Sequence, residues 1–130
     1  MKFVSTRGNE SVSLDDALMR GIASDGGLFL PQSLPTFELE AFASCDSIQD
    51  VATILLAPYF AGSTLATDLD RIIAETFAFP VPVRPLPLTD GRAAVLELFH
   101  GPTAAFKDVG AGFLAACLSR LNPPGAEPLT

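Results

Sequence analysis

The stretch that decides the fold of this chain is Glu97-Leu98-Phe99-His100-Gly101-Pro102-Thr103-Ala104-Ala105-Phe106-Lys107-Asp108-Val109-Gly110. A short apolar run, 93–98, precedes the Gly-Pro pair, and a long apolar segment, 109–121, follows the lysine. This order predicts a β-strand, a tight loop and a helix, with Lys107 where the loop becomes the helix. The sequence contains one other lysine, Lys2 at the terminus, so a lysine in this apolar region is unusual.

The predicted position of Lys107 suits carbonyl chemistry. Apolar surroundings and the positive end of the following helix both disfavour the ammonium form of a lysine. The neutral amine is the form that condenses with a carbonyl group to give a Schiff base. The alternative is an ordinary lysine whose stem covers apolar surface while its ammonium reaches water or Asp108. Composition by itself favours this alternative, because most lysines are of that kind.

The residues around Lys107 favour its interpretation as a Schiff-base lysine. His-Gly-Pro-Thr-Ala-Ala-Phe-Lys-Asp-Val-Gly at 100–110 resembles the cofactor-lysine motif of threonine synthases, which are pyridoxal-phosphate (PLP) enzymes of the tryptophan-synthase-β-like group. The stretches Ser5–Glu10 and Asp25–Pro31 are similar to the opening of threonine synthases with an extended N-terminal domain. The resemblance extends over essentially the whole chain. It implies that Lys107 binds PLP covalently in an enzyme that converts O-phospho-L-homoserine and water into L-threonine and phosphate.

The resemblance also implies roles for residues near the lysine. Lys107 would hold PLP and transfer protons on the substrate, and Phe106 would pack near the cofactor ring or in the core. His100 and Thr103 would shape the loop through hydrogen bonds, and a part in proton transfer for His100 is the less favoured view. Asp108 would cap the helix or orient the lysine, and we interpret it as the cap.

Arg7 is a candidate ligand of the substrate phosphate, because a guanidinium group matches phosphate geometry. An ion pair at the surface is the plainer explanation of the same residue. With one histidine and no Cys/His cluster, the sequence predicts no metal site.

A complete PLP site needs more than this motif. The sequence contains no glycine-rich loop for the cofactor phosphate, which threonine synthases carry together with a Ser-Gly-Asp-Thr-Gly substrate loop. We therefore expect an N-terminal piece of a longer enzyme that neither retains PLP nor acts as a catalyst alone. An apolar patch would then be exposed along 107–121, with a homodimer or a displaced helix as the consequence.

The pattern of the whole chain predicts an α+β fold in two parts. Residues 1–79 form an N-terminal threonine-synthase domain, and residues 80–130 supply the hairpin, lysine loop and helix that begin the PLP-binding α/β domain. Helices are predicted over 14–20, 36–42, 48–60, 67–76 and the segment after Lys107, with Ser13 and Ser47 as N-caps. Strands are predicted over 2–6, 28–30, 83–88 and 93–98, with an Asp-Gly turn at 90–91 between the last two.

Composition limits the function classes. A formal charge of −7 disfavours nucleic acid as a partner, because phosphates require basic patches. Two cysteines are too few for a disulfide framework, and no signal peptide or membrane-spanning run is recognised, so we expect a cytoplasmic protein. Two alternatives stay open: another PLP-dependent lyase such as a serine/threonine dehydratase, or a non-catalytic binding module. The His-Gly-Pro-Thr lead-in argues against the first alternative, and an intact Lys107 argues against the second.

Overall fold

The computed structural model describes residues 1–87, 90 and 92–122. Helices and two small antiparallel sheets share this part of the chain, which confirms the predicted α+β class. The elements in chain order are β1 (Phe3–Ser5), β2 (Ser11–Val12), α1 (Leu14–Arg20), β3 (Phe29–Pro31), α2 (Ile48–Phe60), α3 (Leu69–Thr76), β4 (Val83–Pro85), β5 (Ala94–Leu96) and α4 (Lys107–Leu121). Two short 3-10 helices, Leu39–Phe42 and Thr64–Asp68, complete the description.

Two helices begin at the predicted serine caps. The Oγ of Ser13 accepts a hydrogen bond from the Asp16 amide at 3.1 Å, and Ser47 forms a reciprocal capping box with Asp50. Such bonds satisfy amides that have no partner within the first turn of a helix. α1 ends at Gly21, whose φ of 67° lies in the region that glycine adopts without a steric penalty.

The N-terminal sheet differs from the prediction at one proline. β1 lies between β2 and β3, and both neighbours run antiparallel to it. The strand predicted over 28–30 is β3, which extends to Pro31, opposite Phe3. An edge strand tolerates a proline because its outer side needs no amide donor. β2, with two residues, is too short to give a recognisable pattern in the sequence.

Two other predicted elements are shorter than expected. The helix predicted over 36–42 is only the 3-10 turn Leu39–Phe42, because no side chain caps it and none of its residues is buried. The predicted hairpin is present, with Arg84 opposite Val95, but its strands have three residues each. Prolines in and around β4 remove amide donors and so limit the ladder. Leu88 and Gly91, part of the predicted strand and turn, lie outside the described residues.

The hydrophobic core joins the N-terminal sheet to the helices. Its buried members are Phe3, Leu14, Ala52, Phe60, Leu65, Leu69, Ile72, Ile73, Phe77 and Cys117. α4 packs Val109 and Phe113 against this core, and the Phe113 ring contacts the Phe60 ring edge-on at a centroid distance of 5.9 Å. The exposed surface predicted for α4 is therefore confined to its other side, where Leu114 is 42% exposed. The division of the chain at residue 79 stays a prediction.

Neither cysteine forms a disulfide in the described chain. Cys45 is partly exposed, and Cys117 is fully buried in the core. Burial raises the pKa of the Cys117 thiol to about 11, so this group stays protonated and unreactive at neutral pH. None of the described helices is long and apolar enough to cross a membrane.

Glu10 connects α1 to the turn before β3. Its carboxylate accepts hydrogen bonds from the Ser24 amide at 2.8 Å and the Ser24 hydroxyl at 2.7 Å, and it pairs with Arg20 at 2.6 Å. The bonds from Ser24, supported by Arg20, lower the pKa of Glu10 from 4.5 to about 2. The ionised carboxylate therefore stabilises the folded state.

We expect Glu10→Gln to lower the melting temperature in a pH-dependent way. Because the pKa is depressed in the folded state, the stabilisation is complete above pH 4.5 and disappears as the pH falls toward 2. Thermal melts of the two proteins should therefore differ at neutral pH and converge in acid. Glu40→Gln, which removes an exposed carboxylate outside this cluster, is the control. A melting difference that does not change with pH would contradict the assignment.

Candidate active site

Lys107 is the first residue of α4 and projects away from the core. Its side chain is exposed, so the expectation of apolar surroundings that cover the amine is wrong for the described chain. The buried side of α4 is marked by Val109, two residues further on. Successive helix residues are rotated by about 100°, so Lys107 lies nearly opposite Val109. The amine is therefore accessible at the surface.

The segment 100–106, here called the lysine loop, is closed by Asp108. The Asp108 carboxylate accepts hydrogen bonds from the Thr103 amide at 3.0 Å and the Thr103 hydroxyl at 2.7 Å. Gly101 packs against the same carboxylate so closely that a Cβ there would lie 2.7 Å from Asp108 Cβ. Ala104 has a φ of 53°, a conformation uncommon for a residue other than glycine. These features give the loop one compact shape.

The interpretation of Asp108 as a helix cap is wrong. The N-cap residue is Phe106, and no side chain caps the first turn of α4. Asp108 lies inside the helix, and its carboxylate bonds the Thr103 amide and hydroxyl instead of an amide of the first turn. Its carboxylate therefore connects the loop to the residue that follows Lys107.

His100 is held on the strand side of the loop. Its Nε2 lies 2.7 Å from Glu97 Oε2, and the same carboxylate oxygen is 3.8 Å from Arg84 Nε. The Phe99 ring lies beside the imidazole, with centroids 4.6 Å apart. His100 thus connects the start of the lysine loop, through Glu97, to Arg84 of β4. The hydrogen bond of its imidazole is with Glu97 and not with Lys107.

A cavity of about 660 Å³ lies beside Lys107. It is lined by the end of α3, the lysine loop and one side of α4, namely Glu75, Thr76, Ala78, Phe79, Pro102, Thr103, Ala105, Lys107, Asp108, Ala111, Gly112 and Ala116. This volume is within the range of small-molecule sites, ~300–1,000 Å³. The small residues of α4 leave a flat wall, and Gly112 also permits close packing on α3, since a Cβ there would lie 3.9 Å from Thr76 Cγ2.

Two predicted site residues are not part of this cavity. The Phe106 side chain is 67% exposed and does not line the cavity, so its interpretation as a core residue is wrong. Arg7 belongs to the loop after β1, where its amide donates to Ser5 Oγ, which in turn donates to Asp25. Its guanidinium forms no ion pair with a described residue, and binding of the substrate phosphate by Arg7 stays a prediction.

The end of α3 is the part of the site that sequence reasoning missed. Glu75 pairs with Arg120 across the two helices at 2.8 Å, which lowers the pKa of Glu75. Arg120, in the last turn of α4, also donates to the Ala116 carbonyl at 2.8 Å. No local pattern marks Glu75 as a wall of the site, because its neighbours in space are far away in the chain.

The residues present fit part of a PLP site. A primary amine at the rim of a cavity with a flat apolar wall is suited to bind an aldehyde on a planar ring. Among the described residues that line the cavity, Lys107 is the only cation, so a separate group must hold the cofactor phosphate. The described residues contain no cluster of acidic, histidine or cysteine side chains suited to a metal ion.

Comparisons with known proteins identify a family for this chain. The family model described as "Threonine synthase N terminus" matches residues 2–77. Threonine synthase from Pseudomonas aeruginosa is 40% identical over 126 residues, which are 93% of this chain and 27% of that protein. The crystal structure of PLP-bound threonine synthase from Brucella melitensis has a TM-score of 0.82 at 40% identity, covering 93% of this chain and 27% of that chain.

The threonine synthase structure from Escherichia coli has a TM-score of 0.79 at 36% identity, covering 93% of this chain and 28% of that chain. This chain therefore spans little more than a quarter of the length of the relatives that it matches. The family match, which covers more than half of the chain, and the agreement in fold lead to one conclusion: the chain belongs to the threonine synthase N-terminal family.

Proposed function

We propose that this chain is the N-terminal part of a PLP-dependent enzyme that converts O-phospho-L-homoserine and water into L-threonine and phosphate. The observation that carries the proposal is the position of Lys107, accessible at the rim of the cavity between α3 and α4. The membership of the chain in the threonine synthase N-terminal family supports this choice of reaction.

Five residues of the lysine loop and α4 have defined tasks in this proposal. PLP, when bound, acts as an electron sink for charge that develops on the substrate carbons. Lys107 Nζ would hold the cofactor through its aldehyde group and would also move protons at the substrate Cα and Cβ. Thr103 and Asp108 hold the loop and so fix the origin of the Lys107 side chain. Ala111 and Gly112, which line the cavity, would provide an apolar surface that excludes water from the cofactor.

The isolated chain should neither retain PLP nor catalyse the reaction. Among the described residues that line the cavity, only Lys107 carries a positive charge to meet a phosphate group. Covalent attachment without a phosphate site leaves the cofactor free to hydrolyse away. The phosphate site and the substrate loop would come from the polypeptide by which the relatives exceed this chain.

The proposed partner is the small-molecule substrate, and the proposed location is the cytoplasm. The free thiols of Cys45 and Cys117 suit a reducing compartment. A net charge of −7 is unfavourable for binding nucleic acid.

A chimeric enzyme tests the proposal. Residues 1–130 replace the aligned segment in the Pseudomonas aeruginosa threonine synthase, and the host enzyme serves as the reference. We expect the chimera to release phosphate from O-phospho-L-homoserine at a rate comparable with the host. Deamination of threonine without phosphate release would indicate a dehydratase instead. A folded, PLP-loaded chimera with neither activity would indicate a non-catalytic module.

A further inference from the structure

The lysine loop is held by polar contacts at both ends. The hydrophobic core contains no residue from the segment 78–108, so burial does not fix the loop. At the end of the loop, the Asp108 carboxylate accepts hydrogen bonds from the Thr103 amide and hydroxyl. At its start, His100 Nε2 lies 2.7 Å from Glu97 Oε2. Because segments with few buried apolar contacts open easily, each of these two anchors has a large influence on the shape of the loop.

Glu97 is itself held by the hairpin. Its amide donates to the Pro82 carbonyl at 3.0 Å, directly after the last residue of β5. Its side chain is 20% exposed, and Arg84 Nε lies 3.8 Å from the carboxylate oxygen that His100 contacts. Both the backbone and the side chain of Glu97 are therefore fixed, and its carboxylate gives His100 a defined point of attachment.

The hydrogen bond between His100 and Glu97 has a defined direction. A carboxylate only accepts hydrogen bonds, so Nε2 carries the ring proton and donates it. An exposed ion pair contributes little, but these two side chains are more covered than exposed, at 32% and 20% exposure. The Phe99 ring also lies beside the imidazole, with the centroids 4.6 Å apart. Glu97 thus orients the ring of the first residue of the lysine loop.

The lysine loop forms one wall of the cavity beside Lys107. Pro102, Thr103 and Ala105 line the cavity together with Lys107. Lys107 is the first residue of α4, and α4 packs against the core independently of the loop. A shift of the loop would therefore change the space next to the amine while the helix stays in place. The anchor at the start of the loop thus affects the geometry around the amine rather than the stability of the fold.

We propose that Glu97 is a positioning residue of the proposed reaction: through His100 it holds the lysine loop beside which Lys107 presents its amine. This inference rests on the proposed function, because the position of the amine matters only when the amine holds a cofactor. It goes beyond the site described above, since Glu97 does not line the cavity and acts through another residue.

Glu97→Ala in the Pseudomonas aeruginosa chimera is expected to lower kcat about 10-fold, because even small displacements at a reacting group are costly in rate. The value of kcat/KM should fall equally, with KM unchanged and PLP attached, since only the geometry of the reacting state is disturbed. Glu97→Gln keeps an oxygen that accepts from His100 Nε2 and should retain most of the turnover. Equal losses in the two variants would assign the effect to the charge of Glu97 and overturn the proposal.

Glu40→Ala is the matched control. It removes a carboxylate that is exposed and lies outside the hairpin and the lysine loop, in the 3-10 turn Leu39–Phe42. It should leave kcat and KM of the chimera unchanged. A loss of kcat in Glu40→Ala equal to that in Glu97→Ala would show a general effect of charge and overturn the proposal.

A double-mutant cycle shows whether Glu97 acts through His100. Two residues that share one interaction have non-additive effects when both are replaced. We therefore expect Glu97→Ala, His100→Ala and the double variant to lower kcat by similar factors. Independent effects that multiply in the double variant would overturn the proposed route through His100.

Amide spectra of the isolated 130-residue chain report the loop shape without cofactor or turnover. Glu97→Ala should shift the ¹H–¹⁵N signals of the lysine loop and leave those of α1, α2 and α3 in place. Glu97→Gln should keep the loop signals close to those of the unsubstituted chain. Loop signals that do not move in Glu97→Ala would overturn the proposed anchor.

The outcomes separate positioning from the proposed function. An unsubstituted chimera that is folded but inactive would remove the proposed function and this inference with it. Full turnover of Glu97→Ala in an active chimera would overturn this inference alone and leave the proposed function in place.

Discussion

Replacement of Lys107 by alanine in the chimera is expected to abolish both the yellow colour of lysine-bound PLP and the release of phosphate. In the proposed function the amine both attaches the cofactor and acts as the acid-base group, and positioned acid-base catalysis alone contributes roughly 10²–10⁴-fold to a rate. The expected loss of turnover is therefore at least about 10³-fold, larger than for any single substitution in the lysine loop. Absorbance spectra and steady-state phosphate release measure the two effects separately.

The controls for this experiment come from the chain itself. Lys2→Ala removes the one other lysine of the sequence and should leave the colour and the turnover unchanged. Lys107→Arg keeps a positive charge but not a primary amine, so it should fail like alanine if covalent attachment is the role of Lys107. Because the Lys107 side chain is exposed, neither substitution should change the melting temperature of the isolated chain. Lys107→Ala with colour and turnover intact would refute the assignment.

Gly101→Ala is expected to reduce turnover by moving the lysine loop. The new Cβ would lie 2.7 Å from Asp108 Cβ and Cγ, a distance that requires one of the two residues to shift. Asp108 also holds the Thr103 amide and hydroxyl and directly follows Lys107, so the shift would reach the reacting amine. A displacement of about 1 Å at a catalytic group costs around 10²-fold in rate. We expect kcat to fall by this factor, with PLP still attached to Lys107.

Gly110→Ala is the matched control for the loop variant. It makes the same change three residues after Lys107, at a position where a Cβ meets nothing within 4 Å. An alanine inside a helix is favourable compared with glycine, so the stability should be unchanged or slightly increased. If Gly101→Ala were as active as Gly110→Ala, the close packing of Gly101 on Asp108 would have no catalytic importance. Loss of the cofactor colour in Gly101→Ala would indicate misfolding of the loop rather than a displaced amine.

Features that depend on neighbouring residues were predictable from the sequence. Ser13 and Ser47 cap their helices because the groups they bond lie three residues away in the chain. Gly21 ends α1 for the same local reason. The extent of the elements was less predictable where local preference is weak. The 3-10 turn at 39–42 and the short β4 lack the caps or amide donors that would extend them.

The sequence by itself determined the order of strand, loop and helix around Lys107 and the caps of α1 and α2, and its motif is the basis on which Lys107 is proposed as the cofactor lysine. Only the tertiary structure decided that Asp108 closes the loop on Thr103, that the end of α3 forms the other wall of the cavity, and that the Lys107 amine is exposed. The physical reason is the separation along the chain between the groups that interact. Caps and turns are set by groups a few residues apart, whereas a cavity and the exposure of a side chain depend on which distant segments pack together.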